Sequence, residues 1–387
     1  MAARRTICYF LIAVLGFGYA RTTVAQSGPF VAVSDPPEMM GPPKTYPSAS
    51  PAEKAFLDVL QQVGKDTSAA DLSLLDRFIE IYPKFGDARF TRAQIVACET
   101  NPPNLVNAKG DLQAAISAER GDLSIYDKKQ ALSLLAKIAS SSGEYRTALD
   151  LLDSAMEEDL DTADNIFNIQ GTEPSKTSDF CTWNLTDLSL LSANAPKDWR
   201  SFALVGLYYQ FFTTFGESTF PQATAAFQKA SILNPRTAVV PYLQGELHMA
   251  TAFWTKKAWA SDAARDAFYR AAIPSFTRAI QLDPGFAKAY AARAEVYLNL
   301  KQDALAIKDF DKALSLKPDI STALSDRGIA HLELGQYYPA ISDFGDAIRA
   351  KDEGDSYIST LYANRGDTYV KVRDYQRAID DYSTALR

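Results

Sequence analysis

Small and aromatic residues recur in phase over residues 286–387. Ala294, Gly328 and Gly366 hold one position of a repeated unit, Ala306, Ala340 and Ala378 a second, and Ala313, Ala347 and Ala385 a third. Gly328 follows Ala294 by 34 residues, and Gly366 follows Gly328 by 38. Tyr290, then Tyr297 and Tyr369, then Phe310, Phe344 and Tyr382 keep step with them. Such a period, with apolar positions at helical spacing, predicts two helices per unit and a stacked array. The small residue of the first helix and the first Ala of the second let two backbones approach, while the aromatic fills the space beside that contact. The remaining Ala receives the first helix of the next unit, because one pair cannot bury its apolar face alone.

The same spacing, less sharply drawn, extends upstream. It predicts helices over 52–62 and 71–82, the latter stopped by Pro83, and a looser pair over 88–98 and 109–118 separated by Asn101-Pro102-Pro103. A further good repeat runs from Lys129 to Thr162, with Leu132, Ala136 and Ala139 on one helix, Ala148, Leu152 and Ala155 on the next, and Gly143-Glu144-Tyr145 between. Residues 163–197 break the period with Gly171, Pro174, Pro196 and many Ser, Thr and Asn, and read as an irregular connection. Phe180, Cys181 and Trp183 within it point to a segment packed down as a cover or, in the sharper reading, to a ligand contact. From Asp198 the repeats resume through Gly206, Phe227 and Ala230, then Gly245, Ala272, Phe276 and Ala279. An enlargement there holds Trp254, Lys256, Lys257 and Trp259, either a binding lip or ordinary packing on a lengthened helix.

Before the repeats, residues 1–25 have the layout of a secretory signal: Arg4 and Arg5, an apolar run from Ile7 to Ala20, and Thr23-Val24-Ala25 ahead of Gln26. Residues 26–51 carry seven prolines, counting Pro29 and Pro51, and read as a disordered tether. The expected organisation is therefore signal 1–25, tether 26–51, N-terminal helical repeats 52–162, connection 163–197 and C-terminal array 198–387.

The run Tyr290, Ala294, Tyr297, Ala306, Phe310, Ala313 and Pro318, repeated through Leu324, Gly328, Ala340, Phe344 and Ala347 and through Tyr362, Gly366, Tyr369, Ala378, Tyr382 and Ala385, resembles the tetratricopeptide repeat family. The resemblance implies an all-α, right-handed α-solenoid and a concave groove, lined by first helices, that takes a peptide or protein. The groove positions would be Lys288, Glu295 and Asn299, then Thr322, Ser325, Ile329 and Glu333, then Thr360, Asp367 and Lys371. The cationic set that family members use to grip a carboxylate-terminated tail is missing at these positions. One departure recurs: Arg293, Arg327 and Arg365 stand where the family usually has Leu, each followed 16 residues later by Asp309, Asp343 or Asp381. These read as equivalent ion pairs joining the two helices of a unit, or else as solvated ends.

Composition narrows the function. The 387 residues exceed one ordinary core, which a solenoid tolerates because it grows by addition. With 47 acidic against 40 basic residues and no basic tract, nucleic acid is a poor partner, as is anionic lipid. Beyond the signal, Cys98 and Cys181 remain, and an exported chain can pair them; two isolated buried thiols are the alternative. Asn184-Leu185-Thr186 is a glycosylation acceptor only in a eukaryotic host. The two histidines, His248 and His331, are far apart, and His331 takes the place of Tyr297 and Tyr369 in sister repeats, as a packed core residue would. No zinc-spaced cysteines, nucleophile elbow or phosphate-cradling loop occurs, so no catalytic residue, metal or cofactor is expected. The leading expectation is an exported, non-enzymatic scaffold, periplasmic or secreted and without a membrane anchor after cleavage, that binds protein or peptide, for instance in envelope assembly. The alternatives are an array that self-associates through its C-terminal repeat, which stops at Arg387, and an enzyme with its site in the central connection.

Overall fold

The structure is a computed structural model that describes residues 51–63, 69–99, 103–117, 125–158, 183–214, 219–254, 261–350 and 357–386. Among these residues the chain is helical throughout and has no strand. The helices are α1 (Pro51–Val63), α2 (Ala69–Ile81), α3 (Gly86–Gln94), α4 (Leu105–Ile116), α5 (Ile125–Ser141), α6 (Tyr145–Glu158), α7 (Leu185–Asn194), α8 (Trp199–Thr214), α9 (Phe220–Leu233), α10 (Val239–Trp254), α11 (Asp262–Leu282), α12 (Ala287–Asn299), α13 (Asp303–Leu316), α14 (Ser321–Glu333), α15 (Tyr337–Arg349), α16 (Tyr357–Lys371) and α17 (Tyr375–Ala385). A π-helical turn, Ile95–Glu99, prolongs α3.

Packing is mainly between neighbours in sequence, and first helices of successive pairs also touch. Helices pair as α3 with α4, α5 with α6, α8 with α9, α10 with α11, α12 with α13, α14 with α15 and α16 with α17, and each second helix then meets the first helix of the next pair. This is an α-solenoid of helix pairs. The array also bridges the central connection, because α6 touches α8 directly as well as through α7. One buried apolar cluster runs from Ala136 on α5 to Val296 on α12 without interruption.

The closest contact inside a pair is a glycine against an aromatic ring. A Cβ placed on Gly206 or Gly245 would lie 2.4 Å from Phe227 or 2.5 Å from Phe276, and one on Gly328 or Gly366 would lie 2.9 Å from Phe344 or Tyr382. Phe227, Phe276 and Phe344 are fully buried, so the ring has nowhere to retreat. Only a residue without Cβ lets the two backbones come that near. First helices end with a residue in the left-handed region at Gly143, Lys301, Gly335 and Arg373. The amide that follows each of them reaches back to close the helix, from Glu144 to Ala139, Gln302 to Tyr297, Gln336 to His331 and Asp374 to Tyr369.

The central connection departs from the sequence reading. Residues 163–197 read as irregular, yet α7 occupies ten residues of them, opened by Asn184, whose side chain accepts from the amide of Asp187 while the Asp187 side chain accepts from the amide of Asn184. Such a reciprocal cap starts a helix too short to show a periodic apolar stripe. Trp183, just before it, is 1% exposed and donates through Nε1 to Ser133 Oγ on α5 at 3.0 Å. The packed-down reading thus holds at Trp183; Phe180 and Cys181 lie outside the described residues, as do the signal, the tether and residues 255–260 with Lys256, Lys257 and Trp259.

The glycine contacts give a test of opposite signs. Gly206→Ala and Gly245→Ala lower stability by about 1–3 kcal/mol through overpacking. Gly345→Ala in mid-α15, where a Cβ would meet nothing nearer than 3.5 Å, raises it by up to about 1 kcal/mol. Thermal melts of the purified variants check both directions.

Candidate protein-binding face

A guanidinium on the first helix of a pair grips an aspartate on the second. Arg293 donates from Nε to Asp309 Oδ2 at 2.7 Å and from Nη2 to Oδ1 at 2.9 Å. Arg327 holds Asp343 in the same two-pronged way at 2.9 and 2.6 Å, and Arg365 holds Asp381 at 2.8 and 2.7 Å. The aspartates are 4–6% exposed, so the pairs are structural joints rather than solvated ends. Tyrosines one turn away flank the cation: the rings of Tyr290 and Tyr297 lie 5.9 and 6.0 Å from the Arg293 guanidinium, and Tyr362 lies 5.3 Å from that of Arg365. The hydrogen bond to its aspartate raises each of these arginines above its ordinary value against the opposing effect of burial.

The remaining nitrogen, Nη1, points to the preceding pair. Arg293 Nη1 donates to Thr277 Oγ1 at 2.9 Å on α11, and Arg327 Nη1 to Asp311 Oδ1 at 2.7 Å on α13. One side chain therefore ties three consecutive helices. A fourth joint of this kind lies near the start of the array: Arg92 holds Asp111 at 2.7 and 2.6 Å and Asp76 at 2.6 Å. Sequence reasoning missed it because 19 residues rather than 16 separate Arg92 from Asp111, across the Asn101-Pro102-Pro103 break. The legible signal was Arg92-Ala93, the same Arg-small step as Arg293-Ala294, Arg327-Gly328 and Arg365-Gly366. In the pairs beginning with α8 and α10, Val205 and Gln244 precede the small residue and Ala226 and Ser275 precede the aromatic, so both partners are exchanged together.

Of the residues read as lining a groove, Thr322, Glu333, Asp367 and Lys371 are exposed, and Lys288, Glu295, Asn299, Ile329 and Thr360 are half-buried on α12, α14 and α16. Several already have neighbours. Asn299 donates to the Glu295 carbonyl at 2.9 Å, Glu333 lies 3.8 Å from Lys301 Nζ, and Asp367 accepts from the Tyr382 hydroxyl at 2.6 Å. Desolvation and the bond to Asp367 push the Tyr382 phenol up to about 12. Ser325 is a correction: it is fully buried, with its hydroxyl 2.9 Å from that of Tyr357, and cannot meet a partner. Tyr357 reaches it because α16 starts eight residues before Arg365, whereas α14 starts six before Arg327. Of the residues read as repeat packing, Ala294, Ala306, Phe310, Ala313, Ala340, Phe344, Ala347 and Ala378 are at 0–2% exposure and Gly328 and Gly366 are buried, whereas Tyr382 and Ala385 in the last pair are half-buried.

Residues 287–320 and 359–387 are similar to tetratricopeptide repeats. They are matched by family models of that description, and the matched segments are α12–α13 and most of α16–α17. No curated protein matches the chain. Among solved structures, MamA is 19% identical, with 47% of this chain and 92% of MamA covered at a TM-score of 0.38. YrrB, described as a TPR protein with an unusual peptide-binding site, is 16% identical over 51% of this chain and 90% of its own, at 0.39. Pseudomonas aeruginosa pilF is 15% identical over 68% and 90%, at 0.39. Likeness at this level carries no argument about function.

Chemistry-bearing residues are few in the described part. No three His, Cys, Asp or Glu side chains gather there as a metal site would need. Cys98, half-buried on the π-helical turn, is disulfide-bonded, and Cys8 and Cys181 lie outside the described residues. His331 packs with Nδ1 2.6 Å from Gln336 Oε1 and Nε2 3.8 Å from Asp343 Oδ2. His248 sits with Phe220 and Phe268, at ring distances of 5.4 and 6.5 Å, and burial pulls its pKa down.

Two outcomes follow from these charges. Arg327→Met leaves Asp343 buried without its fork and costs about 3–5 kcal/mol, while Arg327→Met combined with Asp343→Leu recovers most of that; denaturant midpoints of the two variants check it. The folded state resists protonating His248 whereas the unfolded chain takes a proton at its ordinary value near 6.5. Stability therefore falls as pH drops from about 7 to about 5, and His248→Phe flattens that slope in melting curves.

Proposed function

We propose that this chain is an exported, non-enzymatic scaffold that binds a peptide or protein partner along the first helices of its C-terminal repeats. The observation that carries the reading is the exposed, polar set Thr322, Glu333, Asp367 and Lys371, presented on first helices that the Gly–aromatic contacts and Arg–Asp joints fix in place. Tetratricopeptide repeats offer such a face to polypeptide partners, and a preorganised surface loses little entropy on binding. Export is supported by the signal-like layout of residues 1–25 and by the disulfide at Cys98, a bond that persists in oxidising compartments. An extracytoplasmic scaffold of this kind suits envelope assembly.

The test is affinity capture from an envelope extract by the wild-type chain and by a Glu295→Lys, Glu333→Lys, Asp367→Lys variant. The variant recovers the main partner at least tenfold less. Equal recovery of every partner removes these helices from the interface.

A further inference from the structure

In the last repeat one place in the arginine joint is left open. Thr277, Asp311 and Gly345 are equivalent, each 34 residues after the one before, on α11, α13 and α15. Thr277 and Asp311 give an oxygen to Nη1 of the next arginine, at 2.9 and 2.7 Å. Gly345 has none to give. The Arg365 Nε and Nη2 are engaged by Asp381 as in the sister repeats, but among the described residues Nη1 meets no acceptor. It lies instead 3.5 Å from where a Cβ on Gly345 would be.

A second cation stands at the same point. Arg349 Nη1 is 3.6 Å from that Cβ position, so two guanidiniums meet over the buried Gly345 on α15. Arg349 is 72% exposed and binds Asp346, an exposed neighbour on the same helix, through its other nitrogen Nη2. Each cation already has one carboxylate, Asp346 for Arg349 and Asp381 for Arg365, and the Nη1 nitrogens are the ends turned toward this point. Asp311 shows what fits the place: a carboxylate oxygen on Nη1 of the next arginine. A guanidinium offers parallel donors matched to a carboxylate, and two of them around one spot make a fork that a lone surface arginine does not.

We infer that Arg349 and Arg365, around Gly345, form a receptor site for a carboxylate side chain, an Asp or Glu on an acidic segment of a partner polypeptide. The partner restores in trans the oxygen that Asp311 supplies in cis one repeat earlier. The inference rests on the scaffold reading and deepens it, since it places the charged anchor at the junction of α15 and α16 and gives the partner its sign. Residues 351–356, which join those helices and include Asp352, Glu353 and Asp355, lie outside the described residues, and they are the competing source of a carboxylate.

The test titrates two fluorescein-labelled, C-terminally amidated peptides against the full mature chain: a Gly-Ser peptide with a central Glu-Asp-Glu, and the same peptide with Gln-Asn-Gln. Wild type binds the acidic peptide at least tenfold more tightly, and the preference shrinks in 0.5 M salt as charge pairing is screened, on the order of a 4–5 Å Debye length. Gly345→Asp, which places the sister repeat's carboxylate in the spot, removes the preference while keeping the wild-type circular dichroism. Arg349→Gln, at an exposed position that the fold does not need, reduces it severalfold. Equal binding of the two peptides by wild type overturns the inference, as does an unchanged preference in both variants. A joint Asp352→Asn, Glu353→Gln, Asp355→Asn variant that alone creates the preference shows that the linker fills the spot and also overturns it. Capture from envelope extract separates the two readings: a partner held equally by wild type and Gly345→Asp leaves the scaffold standing without this anchor, whereas no partner at all defeats both.

Discussion

Everything in this array depends on two backbones approaching closer than side chains ordinarily allow. A glycine faces an aromatic ring in four of the pairs, fully buried at Phe227, Phe276 and Phe344 and half-buried at Tyr382, and in another, at Ala294 and Phe310, an alanine does. The ring spans the depth of the pair, so its shape fixes both the separation and the crossing of the two helices. Once that geometry is set, the second Ala of each pair meets the next first helix with little choice of register. Stability in such a chain is a sum of pair and neighbour contributions, and a single misfit at a glycine is transmitted to both sides.

The arginine joints act on a structure already set by packing. A buried ion pair adds little net stability, because desolvating two charges offsets their attraction, but it penalises any arrangement that parts them. At Arg92, Arg293 and Arg327 three nitrogens engaged across three helices specify which second helix lies before and which after the arginine. The central pairs lack the arginine and the aspartate alike, and there an uninterrupted apolar cluster through Phe202, Phe227, Tyr242 and Phe276 takes over. Bulk burial thus replaces the joint inside those two pairs, while around the central connection Arg200 still reaches Asp150 and Asp153 on α6 and Lys137 pairs with Asp187 on α7.

Much of this was legible beforehand because the determinants are local and periodic. The small and aromatic positions of 286–387, the Arg–Asp pairs at a 16-residue spacing and the helices of the first repeats all follow from residues that repeat in phase. What was not legible depended on departures from phase. Arg92 and Asp111 are held together across a π-helical turn and a proline break, which no fixed spacing reveals. The helix after Trp183 is set by a reciprocal Asn184 and Asp187 cap rather than by a stripe. Ser325 read as a groove residue because nothing in its own repeat shows that Tyr357, two residues outside the usual start of a first helix, covers it. The vacancy at Gly345 is visible only when a repeat is compared with the one before it.

The reach of Arg293 and Arg327 into the preceding pair also blurs the natural boundary of a module. A helix pair such as α14 and α15 owns Asp343 but borrows Asp311 from α13, so excising the pair alone strips its arginine of one ligand. Beginning the piece at α13 restores Asp311 but parts the buried Asp309 from Arg293 on α12, which is the costlier loss. No cut leaves every charge complete, and the milder one falls between α13 and α14, where only the exposed Asp311 is given up.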